Sequence, residues 1–264
     1  FSQFLVTAGC IDDLCDDVSM IDELSTCIGM RLTADVFKRD LNTLTAAAVE
    51  ISELAASTAA GDKVVFHANT GMSCHCAVVA KQLLAGKKDC RVVATLMGGG
   101  TDKPDFYKRM DAWAANHADL VLPISEGVKR LMVEEGVRED LQEVLYSGLY
   151  LDNIAGNRMS KEGARELLGI RRDCRIAGTV SQLSPRKGVG AFLRAFKSAV
   201  EKHDDVFCML VGKGHAEVDA RKIAAELGIE DRLILTGYVE NQYAAICAMD
   251  VFVLSSEYEG LGLV

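Results

Sequence analysis

The stretch VFCMLVGKGHAEVDARKIAAELGIEDRLILTGY (206–238) contains a change of period that decides the fold class. It opens on a continuous apolar run, VFCMLV, which is the pattern of a strand covered on both faces. Gly212 and Gly214 interrupt that run. Ala216, Ala220, Ile223, Ala224 and Leu227 then recur at helical spacing and define one apolar face, and Gly228 stops the pattern. A second apolar run, RLILTGY, follows. Strand, helix and strand in this order imply parallel strands joined by a right-handed crossover.

The same unit repeats on either side. CRIAGTV (174–180) and DVFVLS (250–255) are further strand-like runs, and Val189, Phe192, Leu193, Phe196 and Val200 share a helical face. In the first half, KVVFHA (63–68), RVVATLM (91–97) and ADLVLPIS (118–125) read as strands in the same style. HCAVVAKQLLAG (75–86) and EGVKRLMVEEG (126–136) read as helices, the second with Ser125 as N-cap. FLVTAG (4–9) and FKRDLNTLTAAAVEISELAA (37–56) predict an opening strand and helix. The expectation is an α/β protein of two Rossmann-like, doubly wound domains, 1–150 and 151–264, joined through residues 146–160 and facing across a cleft. Ligands of such sheets bind beyond the carboxyl ends of the strands.

The totals narrow the chemistry. A net charge of −9 argues against a general nucleic-acid binder, which needs clustered Lys and Arg. No stretch is long and apolar enough to span a bilayer, and no signal peptide opens the chain. The nine cysteines lack the spacing of a disulfide framework; Cys174, Cys208 and Cys247 lie in or beside apolar runs as packed thiols, which suits a reducing compartment. SCHCA (73–77) sets Cys74, His75 and Cys76 side by side, but adjacent residues rarely converge on one tetrahedral ion, and CIDDLC (10–15) is no stronger. No metal site is expected.

Three turns at predicted strand ends carry the candidate chemistry. SQLSPRKG (181–188) places Arg186 and Lys187 where they can neutralise an anion; the competing reading is a solvated basic turn. GKGHAE (212–217) offers glycines for close backbone approach. EGLG (259–262) presents successive amides at the start of an expected helix, an anion site by geometry, with a plain helix cap as the alternative. Glu259 then needs a neutral neighbour such as a sugar hydroxyl, because a carboxylate facing phosphate is repelled. One ligand with two phosphates and a hydroxyl-rich group would use all three turns.

GTVSQLSPRKGVGAFLRAF, MLVGKGHAE, ELGIEDRLILTGYV and AMDVFVLSSEYEGLGLV, in this order and spacing, resemble the nucleotide-sugar glycosyltransferases of the GT-B fold, specifically glycosyltransferase family four (glycosyl transferases group one). VVFHANTG, VVATLMGG, ADLVLPISEGVKRLMVEEGV and VLYSGLYLD are similar to that family's acceptor-side domain. The resemblance implies hexosyl transfer from a nucleotide-diphosphate sugar, with retention at the anomeric carbon and neither metal nor cofactor. It implies a sugar, lipid or protein acceptor, no nucleic acid, and cytoplasmic work that in many members takes place at the cytosolic membrane face, although no basic amphipathic anchor is present here. Lys187 falls where the donor diphosphate is bound, with Gln182 and Arg186 in the same turn and Gly214 and His215 in the next. Tyr238 and Val239 fall where the base is held. Glu259 matches the first acid of the paired-glutamate motif, and Gly260, Leu261, Gly262 and Leu263 supply backbone contacts to sugar and phosphate.

There are departures from that pattern. Gln182 stands where the family commonly has arginine, Met97 where a histidine is usual, and Ser147 precedes Gly148 in place of asparagine. The second glutamate of the motif would fall beyond Val264, the family's opening strand and its glycine-rich acceptor loop are not found, and Phe1 opens the chain. The expectation is the middle of a glycosyltransferase, with both domains incomplete and poor activity on its own. The competing reading is a nucleotide-sugar-binding pseudoenzyme or inert fragment. A related epimerase or phosphorylase is a third; no lysine is poised for a Schiff base. A nicotinamide enzyme would need G-x-G-x-x-G and a later acid.

Overall fold

A computed structural model describes residues 2–6, 41–58, 63–97 and 103–264. It divides into two compact units, Phe1–Ser147 and Gly148–Val264, so the division falls three residues before the one read from the sequence. The readings at residues 7–15, 37–40 and 98–102 lie outside the described residues.

In the first unit the described elements are β1 (Ser2–Val6), α1 (Leu41–Thr58), β2 (Lys63–Ala68), α2 (Gly71–Leu83), β3 (Asp89–Leu96), α3 (Asp105–Asn116), β4 (Leu120–Pro123) and α4 (Glu126–Glu134). The strands are parallel in the order β1-β2-β3-β4. Val64, Phe66, Ala68, Val92, Ala94, Leu96 and Val121 are buried, while Val65, His67, Val93, Thr95 and Leu122 between them are only half-buried. One face of this sheet is therefore core and the other partly accessible, which apolar runs alone do not reveal. Thr70 and Ser73 form a reciprocal capping box that starts α2, and the Ser125 hydroxyl accepts from the Val128 amide at 3.1 Å to start α4.

The second unit contains α5 (Leu151–Gly156), α6 (Lys161–Leu167), β5 (Arg175–Val180), α7 (Val189–Val200), β6 (Val206–Val211), α8 (Ala216–Leu227), β7 (Leu233–Gly237), α9 (Gln242–Ala248) and β8 (Val251–Phe252). Its strands are parallel in the order β7-β6-β5-β8. The run in β6 shows why it is continuously apolar. Cys208 and Leu210 enter a cluster with Phe192, Leu193 and Phe196 of α7 and Ala220 and Ala224 of α8. Met209 and Val211 point the other way, into a cluster with Ala164 of α6 and Ala245 and Ala248 of α9. Helices cover both faces, so every residue of the strand is apolar whatever its parity. The Cys208 thiol is pushed up to about 12 by burial and packs as a hydrophobe.

Two expectations change here. The run at 250–255 pairs as a strand only over Val251 and Phe252; the Val253 amide still donates to the Gly178 carbonyl at 2.8 Å, but residues 253–264 then continue without helix or strand. The joining segment at 146–160 includes the short helix α5.

Candidate functional site

Strand order locates the site before any side chain is considered. From β5 the chain crosses to β6 and then β7 on one side, and returns to place β8 on the other. At such a reversal of strand order the ligand crevice of an open α/β sheet lies outside the carboxyl ends of the strands, here beside β5 and β8. Residues 181–188 leave β5, and residues 253–264 leave β8.

Backbone contacts fix these loops. The Leu183 amide donates to the Lys213 carbonyl at 2.9 Å, and the Ala216 amide to the Leu183 carbonyl at 3.0 Å, tying the first turn to the glycine turn after β6. Gly214 has φ 158°, and a Cβ on it would lie 2.1 Å from the Leu183 carbonyl oxygen. On the other side the Glu257 amide donates to the Arg186 carbonyl at 3.0 Å, and the Ser255 hydroxyl to the Lys187 carbonyl at 2.9 Å. Gly188 sits at φ 65°, where a Cβ would meet the Ser255 carbonyl oxygen at 1.9 Å. Only glycine permits that approach, so the glycine ending SPRKG reflects the seam between the two loops.

The seam brings together the cation and the acid singled out in the sequence. Lys187 Nζ lies 2.6 Å from Glu259 Oε1, with both side chains largely buried. The Ser256 hydroxyl donates to the same Oε1 at 2.6 Å. Partial burial pushes the Glu259 carboxyl upward, but the bonds from Lys187 and Ser256, together with the Lys187 and Arg186 charges, outweigh it and hold the group below the ordinary glutamate value. Glu259 is therefore ionised near neutrality, with the Lys187 ammonium and the Ser256 hydroxyl as its neighbours.

Other predicted residues are arranged less closely. Arg186 and Gln182 are exposed on the same turn, and His215 is exposed at the start of α8. Tyr238 is 71% exposed and Val239 half-buried, just past β7, which is separated from β5 by β6. Gly260 and Leu261 are half-buried; Gly262 and Leu263 are exposed, and the Leu263 amide is occupied by the Leu261 carbonyl at 2.8 Å. Met97 is 58% exposed at the end of β3.

The sequence reading passed over three serines. Ser255 and Ser256 make the contacts above, and Ser181 has a buried hydroxyl with no hydrogen-bond partner among the described residues. The signal available was the hydroxyl pair between the apolar run and Glu259. Elsewhere, Cys74 and Cys76 are buried on α2, their thiols pushed by burial to about 12 and about 11, and His75 turns to Trp113 at 5.0 Å between ring centroids. No helix of the described residues is long and apolar enough to cross a membrane.

Comparison with known proteins adds a family to this geometry. Residues 160–264 match the family described as glycosyl transferases group 1. The chain is 30% identical over 110 residues to the lipopolysaccharide core biosynthesis glycosyltransferase LpsD of Rhizobium meliloti, covering 42% of this chain and 31% of that protein. It is 27% identical over 166 residues to the alpha-monoglucosyldiacylglycerol synthase of Streptococcus pneumoniae, covering 61% and 37%. The match thus spans about a third of these relatives' length. Among solved structures, Anabaena HepE in complex with UDP and glucose superposes with a TM-score of 0.69 at 21% identity, over 81% of this chain and 57% of that one. The likeness shows a fold of the GT-B type, and residues 160–264 are the part that matches glycosyl transferases group 1.

Proposed function

We propose that the protein transfers a hexosyl group from a nucleotide-diphosphate sugar to a sugar or lipid acceptor, with retention and without a metal ion. The observation that carries this reading is the convergence of Lys187 and Ser256 on Glu259 in the crevice between β5 and β8. In transfer, the bond from the anomeric carbon to the diphosphate oxygen breaks and a bond to an acceptor hydroxyl oxygen forms, with loss of the hydroxyl proton. Negative charge then grows on the departing nucleoside diphosphate. Lys187, Arg186 and the amides around Gly260 are the positive charges and dipoles that would stabilise it. Glu259 would hold a hydroxyl of the donor sugar. The bound UDP and glucose of HepE and the lipid named in the pneumococcal relative support the donor and acceptor classes. Among the described residues the cysteines are free, which agrees with work in a reducing compartment.

The test is binding and turnover of a panel of UDP- and GDP-sugars. Lys187→Ala is expected to weaken nucleoside-diphosphate binding by about tenfold or more, the worth of a charge-assisted contact. Unchanged binding would remove the donor site from this crevice. A second reading, a binding protein without turnover, is favoured by Gln182, whose exposed side chain adds no charge to the turn. Nucleotide-sugar binding with no product from any acceptor would select it.

A further inference from the structure

Both donors to Glu259 meet one oxygen. Lys187 Nζ and Ser256 Oγ each lie 2.6 Å from Oε1. The two anchors differ in what they can do next. Lys187 is a flexible point charge, and an arriving diphosphate competes for it with Glu259. Ser256 is a short side chain three residues from Glu259, with one rotor and no competing anion of its own.

The surrounding backbone allows that exchange without rearranging the loops. The Arg186 and Lys187 carbonyls are bonded to the Glu257 amide and the Ser255 hydroxyl, and Gly188 lies against the Ser255 backbone. The ammonium can therefore swing while the two loops stay joined. We propose that Ser256 is a positioning residue for donor-sugar recognition: its hydroxyl holds Glu259 Oε1, so that the carboxylate keeps its place beside the sugar once Lys187 is drawn to the diphosphate. This rests on the donor reading above, and it adds a group that touches neither sugar nor phosphate.

The experiment uses the full 264-residue chain. Dissociation constants are measured for UDP, GDP, UDP-glucose, UDP-galactose, UDP-N-acetylglucosamine and GDP-mannose on the wild type, Ser256→Ala, Ser256→Thr and Ser256→Val. Threonine and valine match in shape and differ by the hydroxyl, so their comparison removes any packing effect. The alanine and valine variants are expected to keep the bare nucleoside diphosphate within about twofold and to weaken the preferred nucleotide sugar about tenfold, the range of one hydrogen bond to a charged group. Threonine is expected to restore it. Equal losses for bare nucleotide and nucleotide sugar, no loss at all, or identical threonine and valine variants would overturn the proposal while leaving the donor site standing. A wild-type chain that binds none of the six probes overturns the donor reading, and this proposal with it.

Discussion

The two sheets are entered by the same device, differently built. Asp119 precedes β4 and Asp250 precedes β8. Each donates its own amide to the neighbouring strand, to the Val92 carbonyl at 2.9 Å and the Ile176 carbonyl at 2.8 Å. Each carboxylate accepts from the amide of that same neighbour, at 2.7 Å in both cases. A lysine completes each turn, Lys81 at 2.6 Å and Lys161 at 2.5 Å. The arginines differ. Arg91, beside Asp119, is 64% exposed, whereas Arg165, beside Asp250, is 5% exposed and also donates to the carbonyls of Ala248, Arg172 and Cys174. The first unit pins its strand from the surface; the second does so from within its core. Beyond the carboxyl end of β8, Glu259 is held instead by the side chains of Lys187 and Ser256. A carboxylate bonded to the backbone of its own sheet is structural, and one held by side chains can exchange a partner for a ligand.

The largest test breaks the buried member of the pair. Asp250→Ala leaves the Arg165 charge in the core without its counter-ion, and removal of one partner of a buried pair costs about 3 kcal/mol or more. Denaturant unfolding with hydrogen exchange at the Ile176 amide is expected to show the loss in the second unit. Asp119→Ala removes bonds to partners that water can replace, so about 1–2 kcal/mol is expected, read at the Val92 amide. Equal losses at the two sites would mean that the burial of Arg165 does not matter.

Acid separates the same two turns more gently. Burial raises both aspartates, but the bonds to Lys81, Val92 and Arg91, and to Lys161, Ile176 and Arg165, outweigh it and leave both lowered. A lowered carboxylate contributes stability that is complete above its unfolded value, about 4, and disappears as pH falls through its folded value. Stability measured from pH 6 down to 2 is therefore expected to fall, and Asp250→Asn is expected to flatten that decline. A decline of unchanged steepness would assign acid sensitivity to other groups.

The sequence made the second unit more legible than the first for a physical reason. Burial on both faces leaves a run such as CMLV with no alternative to strand, and the glycines at 188, 212 and 214 mark places where loop backbones touch. The same features put Lys187 and Glu259 on one edge of the sheet. What could not be read was their mutual pairing, because the contact spans 72 residues and depends on the order β5-β8. Ser256 was hidden for a similar reason, since a serine beside an acid has no distinctive spacing. The termination of β8 after Phe252 was masked by the apolar residues that continue to Leu254.

The smallest effect on stability, and the sharpest contrast with Asp250, is expected from Glu259→Gln. The amide keeps an oxygen for the Ser256 hydroxyl and loses only the charge opposite Lys187, a pair with some solvent access worth about 1 kcal/mol or less. Binding should change in two opposite directions. With its competing carboxylate gone, Lys187 is free for phosphate, so bare nucleoside diphosphate should bind about threefold more tightly, less than a full charge-assisted contact provides. A nucleotide sugar should gain less or lose affinity, because the charged acceptor for its hydroxyl is missing. Lowering the pH to 5 should not reproduce the variant, since Glu259 is held below the ordinary glutamate value and stays ionised there. Calorimetry on both ligands at pH 5 and 7 separates these outcomes. If the variant instead loses stability as Asp250→Ala does, Glu259 is a structural acid like the aspartates at the other edge.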